Sequence, residues 1–133
     1  MSDSLPSGIS SIGQIAIVTH DVPRALEFYR DRLGLRYLFE AGGMAFLDCG
    51  GVRLMLTAPE SAEFDHRSSI LYFRVEEIDE AFRGASARGV HFRAAPHKVA
   101  DLGVRELWMA FFDDPDGNVM ALMSEPLKTT SVR

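Results

Sequence analysis

The sequence predicts an α+β fold made of two tandem βαβββ modules, and three observations carry that reading. First, the chain repeats itself: Gln14-Ile15-Ala16-Ile17 lies over Ile70-Leu71-Tyr72-Phe73, and at the same offset Val22, Ala25, Leu26 and Tyr29 lie over Ile78, Ala81, Phe82 and Ala85. Second, these latter positions recur as i, i+3, i+4 and i+7, the apolar stripe of an amphipathic helix. Third, each stripe begins behind acidic residues (Asp21, or Glu76-Glu77) and stops at a glycine (Gly34, or Gly89). Carboxylates suit the positive end of a helix dipole, and glycine suits the left-handed residue that closes a helix.

The remaining elements follow in order. Gln14–Ile17 opens the first module as a strand, and Pro23 is tolerated in the first turn of the helix behind it. Arg36–Glu40, Met44–Cys49 and Val52–Thr57 read as strands, the last two joined by Gly50-Gly51, a tight-hairpin signal. Proline at 59 and polar residues through Ser69 mark a linker. In the second module, His91–Ala94, Arg105–Asp113 and Asn118–Ser124 read as strands, with Asp114-Pro115-Asp116-Gly117 as the turn between the last two. Ala95 to Val104 reads as irregular, and irregular stretches of that length in a small domain are often functional or mobile. The modules span residues 12–58 and 69–124 of a single domain taken as 1–133.

A chain of 133 residues is long enough to bury a core. A net charge of −5 lacks the basic footprint of a nucleic-acid binder, so neither DNA nor RNA is an expected partner. Arg24, Arg30 and Arg32 cluster in the first helix, but acidic neighbours interleave with them and a solvated face accounts for the pattern. No apolar run is long enough to span a membrane, and Met1–Gly8 lacks the basic and apolar regions of a secretion signal. The lone cysteine, Cys49, excludes an intrachain disulfide and fits a reducing, cytoplasmic setting. No nucleophile motif, phosphate-binding glycine loop or zinc-protease signature is present.

The two strings Gln14–Gly34 and Ser69–Gly89, followed by Asp114-Pro115-Asp116-Gly117-Asn118 and an apolar strand, resemble the vicinal oxygen chelate superfamily. That group holds glyoxalase I, extradiol dioxygenases, methylmalonyl-CoA epimerase, fosfomycin-resistance enzymes and the metal-free bleomycin-binding proteins. The resemblance spans Ile12 to Ser124 and implies the glyoxalase/bleomycin-resistance fold, with curved mixed sheets around a cavity. In similar proteins the site forms between the halves of one chain or across two chains. A homodimer is expected, because a βαβββ unit covers only one face of its sheet.

In metal-using members, the resemblance places the ligands at Gln14, Met55, Ile70 and Ala121. Met55 follows Gly51 at the same spacing as Ala121 follows Gly117. A divalent ion needs several oxygen, nitrogen or thiolate donors. Gln14 offers one neutral carbonyl, Met55 a soft thioether, and Ile70 and Ala121 nothing, so neither a metal nor any other cofactor is expected. His20, His66, His91 and His97 are dispersed, without the short paired spacings of metal motifs.

Alternation along the strands puts Gln14, Ala16, Val18, Arg53, Met55 and Thr57 on one face of the first module, and Ile70, Tyr72, Arg74, Ala121 and Met123 on the matching face of the second. The set is mainly apolar with a few polar groups, the composition of a small-molecule pocket. Gln14 and Tyr72 are candidates to orient a ligand, and Arg53 or Arg74 to hold a carboxylate. The competing reading is that Met55, Ile70 and Ala121 close the cavity into ordinary core. Trp108 is a further candidate, although strand register decides whether it or Met109 and Phe111 face the cavity. His97, Asp101 and Glu106 flank the irregular stretch, and His97 and Glu106 are the candidate acid–base residues. Asp48 can face either side of its strand.

The functional expectation is a small-molecule binder with a metal-free pocket. The alternative is a lyase or isomerase of the same superfamily, acting through a loop acid or base or through a metal bound in a non-standard way. A protein that keeps the fold for association alone is the third possibility.

Overall fold

In the computed structural model, which describes residues 7–129, two four-stranded sheets share one hydrophobic core. Most of the Met1–Gly8 segment considered above, and the last four residues of the domain, lie outside the described residues.

The first sheet contains β1 (Gln14–Val18), β2 (Arg36–Ala41), β3 (Met44–Cys49) and β4 (Val52–Thr57), in the order β1-β4-β3-β2. The second contains β5 (Leu71–Arg74), β6 (His97–Leu102), β7 (Arg105–Asp113) and β8 (Val119–Ser124), in the equivalent order β5-β8-β7-β6. In each, the first strand runs parallel to the last, and the other neighbours are antiparallel. The doubled βαβββ pattern is therefore present, with mixed sheets.

Local chemistry explains the elements. Helix α1 (Val22–Leu26) starts where the Asp21 carboxylate accepts the Arg24 N–H at 3.1 Å, and Pro23 occupies its first turn. The expected stripe continues through a π-helical turn, Glu27–Arg32, whose wider winding turns both Phe28 and Tyr29 into the core. Helix α2 (Ile78–Ala87) is regular and buries Ile78 and Ala85. Gly50 and Gly51 adopt φ of 60° and 93°, the pair of positive values that a tight β3–β4 turn requires.

Ile17, Leu47, Leu54 and Leu56 point from the first sheet toward the helices; Phe73, Phe112, Met120 and Leu122 do so from the second. Phe28 stacks obliquely on Phe112 at 6.1 Å, so one core serves both modules. Fully burying each of these large side chains contributes about 1.5–3 kcal/mol. The basic residues of the first helix are solvated, as expected, pairing as Arg30–Asp31, Arg32–Glu27 and Arg24–Asp116.

Three expectations need correction. The stretch Ala95 to Val104 is not an irregular loop, because His97–Leu102 is the edge strand β6, paired antiparallel with β7. Its charged, half-polar composition hid it; edge strands tolerate such residues because one side faces water. Conversely, His91–Ala94 is no strand and contributes only the isolated bridge Phe92–Phe112. Its apolar signal comes from Phe92, whose ring packs on Phe82 at 4.8 Å and on Phe112 at 5.4 Å. Ile70, expected to open the strand, lies just before β5.

Candidate functional site

On the first sheet, side-chain alternation leaves Gln14, Ala16 and Val18 of β1, Arg53, Met55 and Thr57 of β4, and Met44, Phe46 and Asp48 of β3 on the face away from the helices. At the Val18–Thr57 end this face carries an apolar cavity of about 280 Å³, lined by Ala16, Val18, Met44, Met55 and Thr57. Its other wall is the linker: Ala58, Pro59, Glu60, Phe64, His66 and Ser68. A 3₁₀ turn at Ala62–Phe64 lets the linker double back over the sheet and place the Phe64 ring there. Four expected positions (Ala16, Val18, Met55, Thr57) thus line one cavity.

At the other end of the same face, the polar groups are tied to one another. The Gln14 carbonyl accepts the Arg53 Nε–H at 2.7 Å, and the Gln14 amide donates to the Met55 sulfur at 3.4 Å. The Arg53 guanidinium lies 5.1 Å from the centre of the Phe46 ring. Asp48 faces this side too, in register between Arg36 and Arg53.

A buried polar knot fixes the linker against both modules. Asn118, 1% exposed, donates through its amide to the Val18 carbonyl at 3.1 Å and to Asp114 at 2.9 Å, and accepts from the Ser68 N–H at 2.8 Å. Ser68 in turn accepts the Val18 N–H. Asp114 also receives the Tyr29 hydroxyl at 2.7 Å and the backbone N–H groups of Asp116 and Asn118. Burial, then the Asp114 charge and hydrogen bond, push the Tyr29 phenol far above its ordinary range, so it stays a donor.

Beside this knot, the His20 ring meets Asp65 at 2.8 Å, next to a polar cleft of about 220 Å³ that shares Val18 and His66 with the apolar cavity. Asp116 holds the His20 N–H and the Arg24 guanidinium through Oδ1, and its buried Oδ2 has no partner among the described residues. The contributions of Phe64, His66 and the His20–Asp65 pair were not foreseen. No periodicity signals them, because they reach the site through a folded linker and across 45 residues of sequence.

The second sheet differs. Its outward face carries Tyr72 and Arg74 of β5, Ala121 and Met123 of β8, Met109, Phe111 and Asp113 of β7, and His97 of β6. Tyr72 and Phe111 flank Ala121 from its two neighbouring strands, and their rings meet edge to face at 6.1 Å. Ala121 is consequently 0% exposed beneath them and does not border the apolar cavity. Ile70 and Tyr72 are each 44% exposed, and neither borders the apolar cavity, so within one chain the two faces do not form a common pocket.

Register also corrects Trp108. Trp108 pairs with buried Ser124 and packs against the core on the helix side, its indole N–H donating to Glu106 at 2.9 Å, while Met109 and Phe111 take the outward face. His97 shares that outward face, opposite Met109, whereas Glu106 and Asp101 lie on the other side in ion pairs with Lys98. The two acid–base candidates are therefore separated by the sheet. Arg74 is engaged by Glu125 at 3.5 Å.

The four family ligand positions do not fit a divalent ion. Gln14 already spends its carbonyl on Arg53 and its amide on Met55, a permanent cation lies beside them, and Ile70 and Ala121 carry no donor. Among the described residues no group of three His, Cys, Asp or Glu side chains is arranged to hold a metal. A larger cavity, about 530 Å³, opens on the helix side between Leu33, Cys49 and α2. Cys49 reaches it half-buried, with its thiol pushed up first by burial and then by Asp48, so it is not an activated nucleophile. Among the described residues no helix is long and apolar enough to cross a membrane.

Comparison with known proteins agrees with this architecture. The family model described as "Glyoxalase/Bleomycin resistance protein/Dioxygenase superfamily" matches residues 11–122. The uncharacterized protein YraH of Bacillus subtilis is 28% identical over 123 residues, covering 82% of this chain and 94% of its own. A solved member of the superfamily from Sphaerobacter thermophilus superposes with a TM-score of 0.73 at 24% identity, covering 88% of this chain and 98% of the other. A lactoylglutathione lyase from Agrobacterium tumefaciens superposes with a TM-score of 0.64 at 22% identity, covering 87% and 94%. The chain belongs to the glyoxalase/bleomycin resistance protein/dioxygenase superfamily.

Proposed function

We propose that this protein binds a small organic molecule in a metal-free, mainly apolar pocket built on the outward face of the first sheet. The observation that carries the reading is the 280 Å³ cavity walled by Ala16, Met55 and Thr57 on one side and by Phe64 of the linker on the other. Its size and apolar lining suit a ligand of modest size, and Met44 and Met55 adapt to its shape. Gln14 and Arg53 complete the site at its polar end.

The protein works as a cytoplasmic homodimer, with no nucleic-acid or membrane partner. Both outward faces leave large apolar groups uncovered, including Phe39 on the first sheet and Ile70 and Tyr72 on the second. A two-fold arrangement that lays the second sheet of one chain over the first sheet of the other covers both at once and completes the pocket with Ile70 and Tyr72.

A neutral, environment-sensitive dye such as Nile red tests the pocket. It should bind with raised fluorescence, and Ala16→Phe should abolish the signal while leaving the fold intact. Unchanged dye binding in that variant would place the pocket elsewhere. Untagged protein should carry no stoichiometric divalent ion, and chelator should not shift its Tm. Light scattering should give twice the monomer mass at micromolar concentration; a clean monomer sinks the dimer.

One observation favours a second reading, a lyase or isomerase working through an acid–base side chain. The His20–Asp65 pair sits beside the cavity with the geometry of a base and its orienting carboxylate. That reading requires a substrate whose turnover collapses in His20→Asn while binding persists, with His97→Ala and Glu106→Gln as comparisons.

A further inference from the structure

We infer that the ligand of this pocket is an organic carboxylate, and that Arg53, held by Gln14, is the group that recognises its charge. This inference rests on the pocket reading above and names the chemistry of its ligand.

The argument begins with what holds the guanidinium. Gln14 accepts its Nε–H at 2.7 Å, and the Phe46 ring lies beneath it with the Arg53 Cζ 5.1 Å from the ring centre. These contacts restrain the stem and the plane of the side chain, yet they use one of five N–H donors. Among the described residues no carboxylate forms a salt bridge with Arg53. The terminal fork is thus oriented and available, the arrangement that recognises a planar carboxylate through two parallel hydrogen bonds.

Position then ties the fork to the pocket. Arg53 precedes Met55 on the same face of β4, about 7 Å along the strand. Gln14 bridges the two, bonding Arg53 through its carbonyl and Met55 through its amide. A ligand whose apolar body fills the space beside Met55 and Phe64 therefore carries a carboxylate to Arg53 on a short spacer. On the outward side of the second sheet, Asp113 is paired with Arg93 and Glu125 with Arg74, so both carboxylates already have a cation. Asp48 is the one neighbour in register able to compete, and it stands between Arg53 and Arg36. A glutamine at a family ligand position has become the positioning residue of an organic cation.

The test compares 4-phenylbutanoate with its uncharged analogue 4-phenylbutanamide by calorimetry at low ionic strength, using the full chain. The carboxylate should bind at least about tenfold more tightly than the amide, as expected of a charge-assisted fork. Arg53→Gln should erase that preference while amide binding persists. Arg53→Lys should keep part of it, and Gln14→Ala should weaken carboxylate binding severalfold more than it weakens amide binding. Raising the salt should narrow the gap between the two ligands. Equal binding of acid and amide in the wild type overturns the charge assignment and leaves the pocket standing. Binding of neither, together with loss of Nile red binding, overturns the pocket itself.

Discussion

The two modules share one strand order and one helix-covered core, yet their outward faces have opposite fates. On the first sheet, the linker folds across the strands and Ala16 and Met55 stay clear of it, so a cavity remains. On the second, the Tyr72 and Phe111 rings meet edge to face beside Ala121, which is fully buried. Met55 and Ala121 occupy equivalent places, one beside a cavity and the other sealed beneath aromatic rings. The difference teaches that a family ligand position says little by itself when the residue there is a poor donor. What covers the strand decides whether the site becomes a pocket or packing.

Substitutions at matched positions can break or sharpen that contrast. The largest effect is expected at Asn118, which holds the linker, β1 and the Asp114 turn together. Asn118→Ala strands the Val18 carbonyl, the Ser68 N–H and part of the Asp114 carboxylate, and should cost about 3 kcal/mol of unfolding free energy. A loss under ~1 kcal/mol in urea titration would mean that solvent satisfies these groups and the linker is not anchored.

Next comes the pair Ala121→Phe and Ala16→Phe. Ala121 has no free space, so its enlargement should cost about 1–3 kcal/mol, whereas Ala16 faces a cavity and should change stability by less than ~0.5 kcal/mol while abolishing dye binding. The reverse pattern would show that the pocket belongs to the second sheet. Phe64→Ala, which removes the linker's ring from the cavity wall, should weaken the neutral dye by roughly three- to tenfold, about 1 kcal/mol, with the melting curve unmoved.

The smallest effect concerns acid. The Arg93 guanidinium, through its hydrogen bonds and charge, holds the Asp113 carboxyl below the ordinary carboxylate range on β7. A depressed folded-state pKa adds stability that is present above the unfolded value and disappears as pH falls through the folded one. Stability measured between about pH 5 and pH 2 should therefore fall less steeply in Arg93→Gln than in the wild type. Identical slopes would show that the exposed pair contributes nothing measurable.

Much of this architecture was legible in the residues. The stripe Val22, Ala25, Leu26, Tyr29 and its copy, the glycine stops and the Asp114–Gly117 turn each point to one local conformation, and their duplication points to one module twice. Alternation alone grouped Ala16, Val18, Met55 and Thr57, and all four line the cavity. The misplaced strand shows the limit: His97–Leu102 is an edge held by backbone pairing to β7, which asks little of its side chains, whereas Phe92 looked like a strand because a single ring plugs the core. Trp108 was undecidable for a related reason, since a one-residue change of register moves every side chain to the other face.

The sequence by itself determined the fold class, the repeat, the family resemblance and the poor donor set at Gln14, Met55, Ile70 and Ala121. Those properties depend on residue type and on spacing within a few turns of chain. Only the tertiary structure decided that the linker roofs the first sheet, that Tyr72 and Phe111 seal Ala121, that His20 meets Asp65, and that Gln14 grips Arg53. Each of these joins residues far apart in sequence, and their meeting depends on sheet register and on the path of a segment without periodicity. Local propensity is blind to both, because each contact gains its energy from groups that only the folded chain brings together.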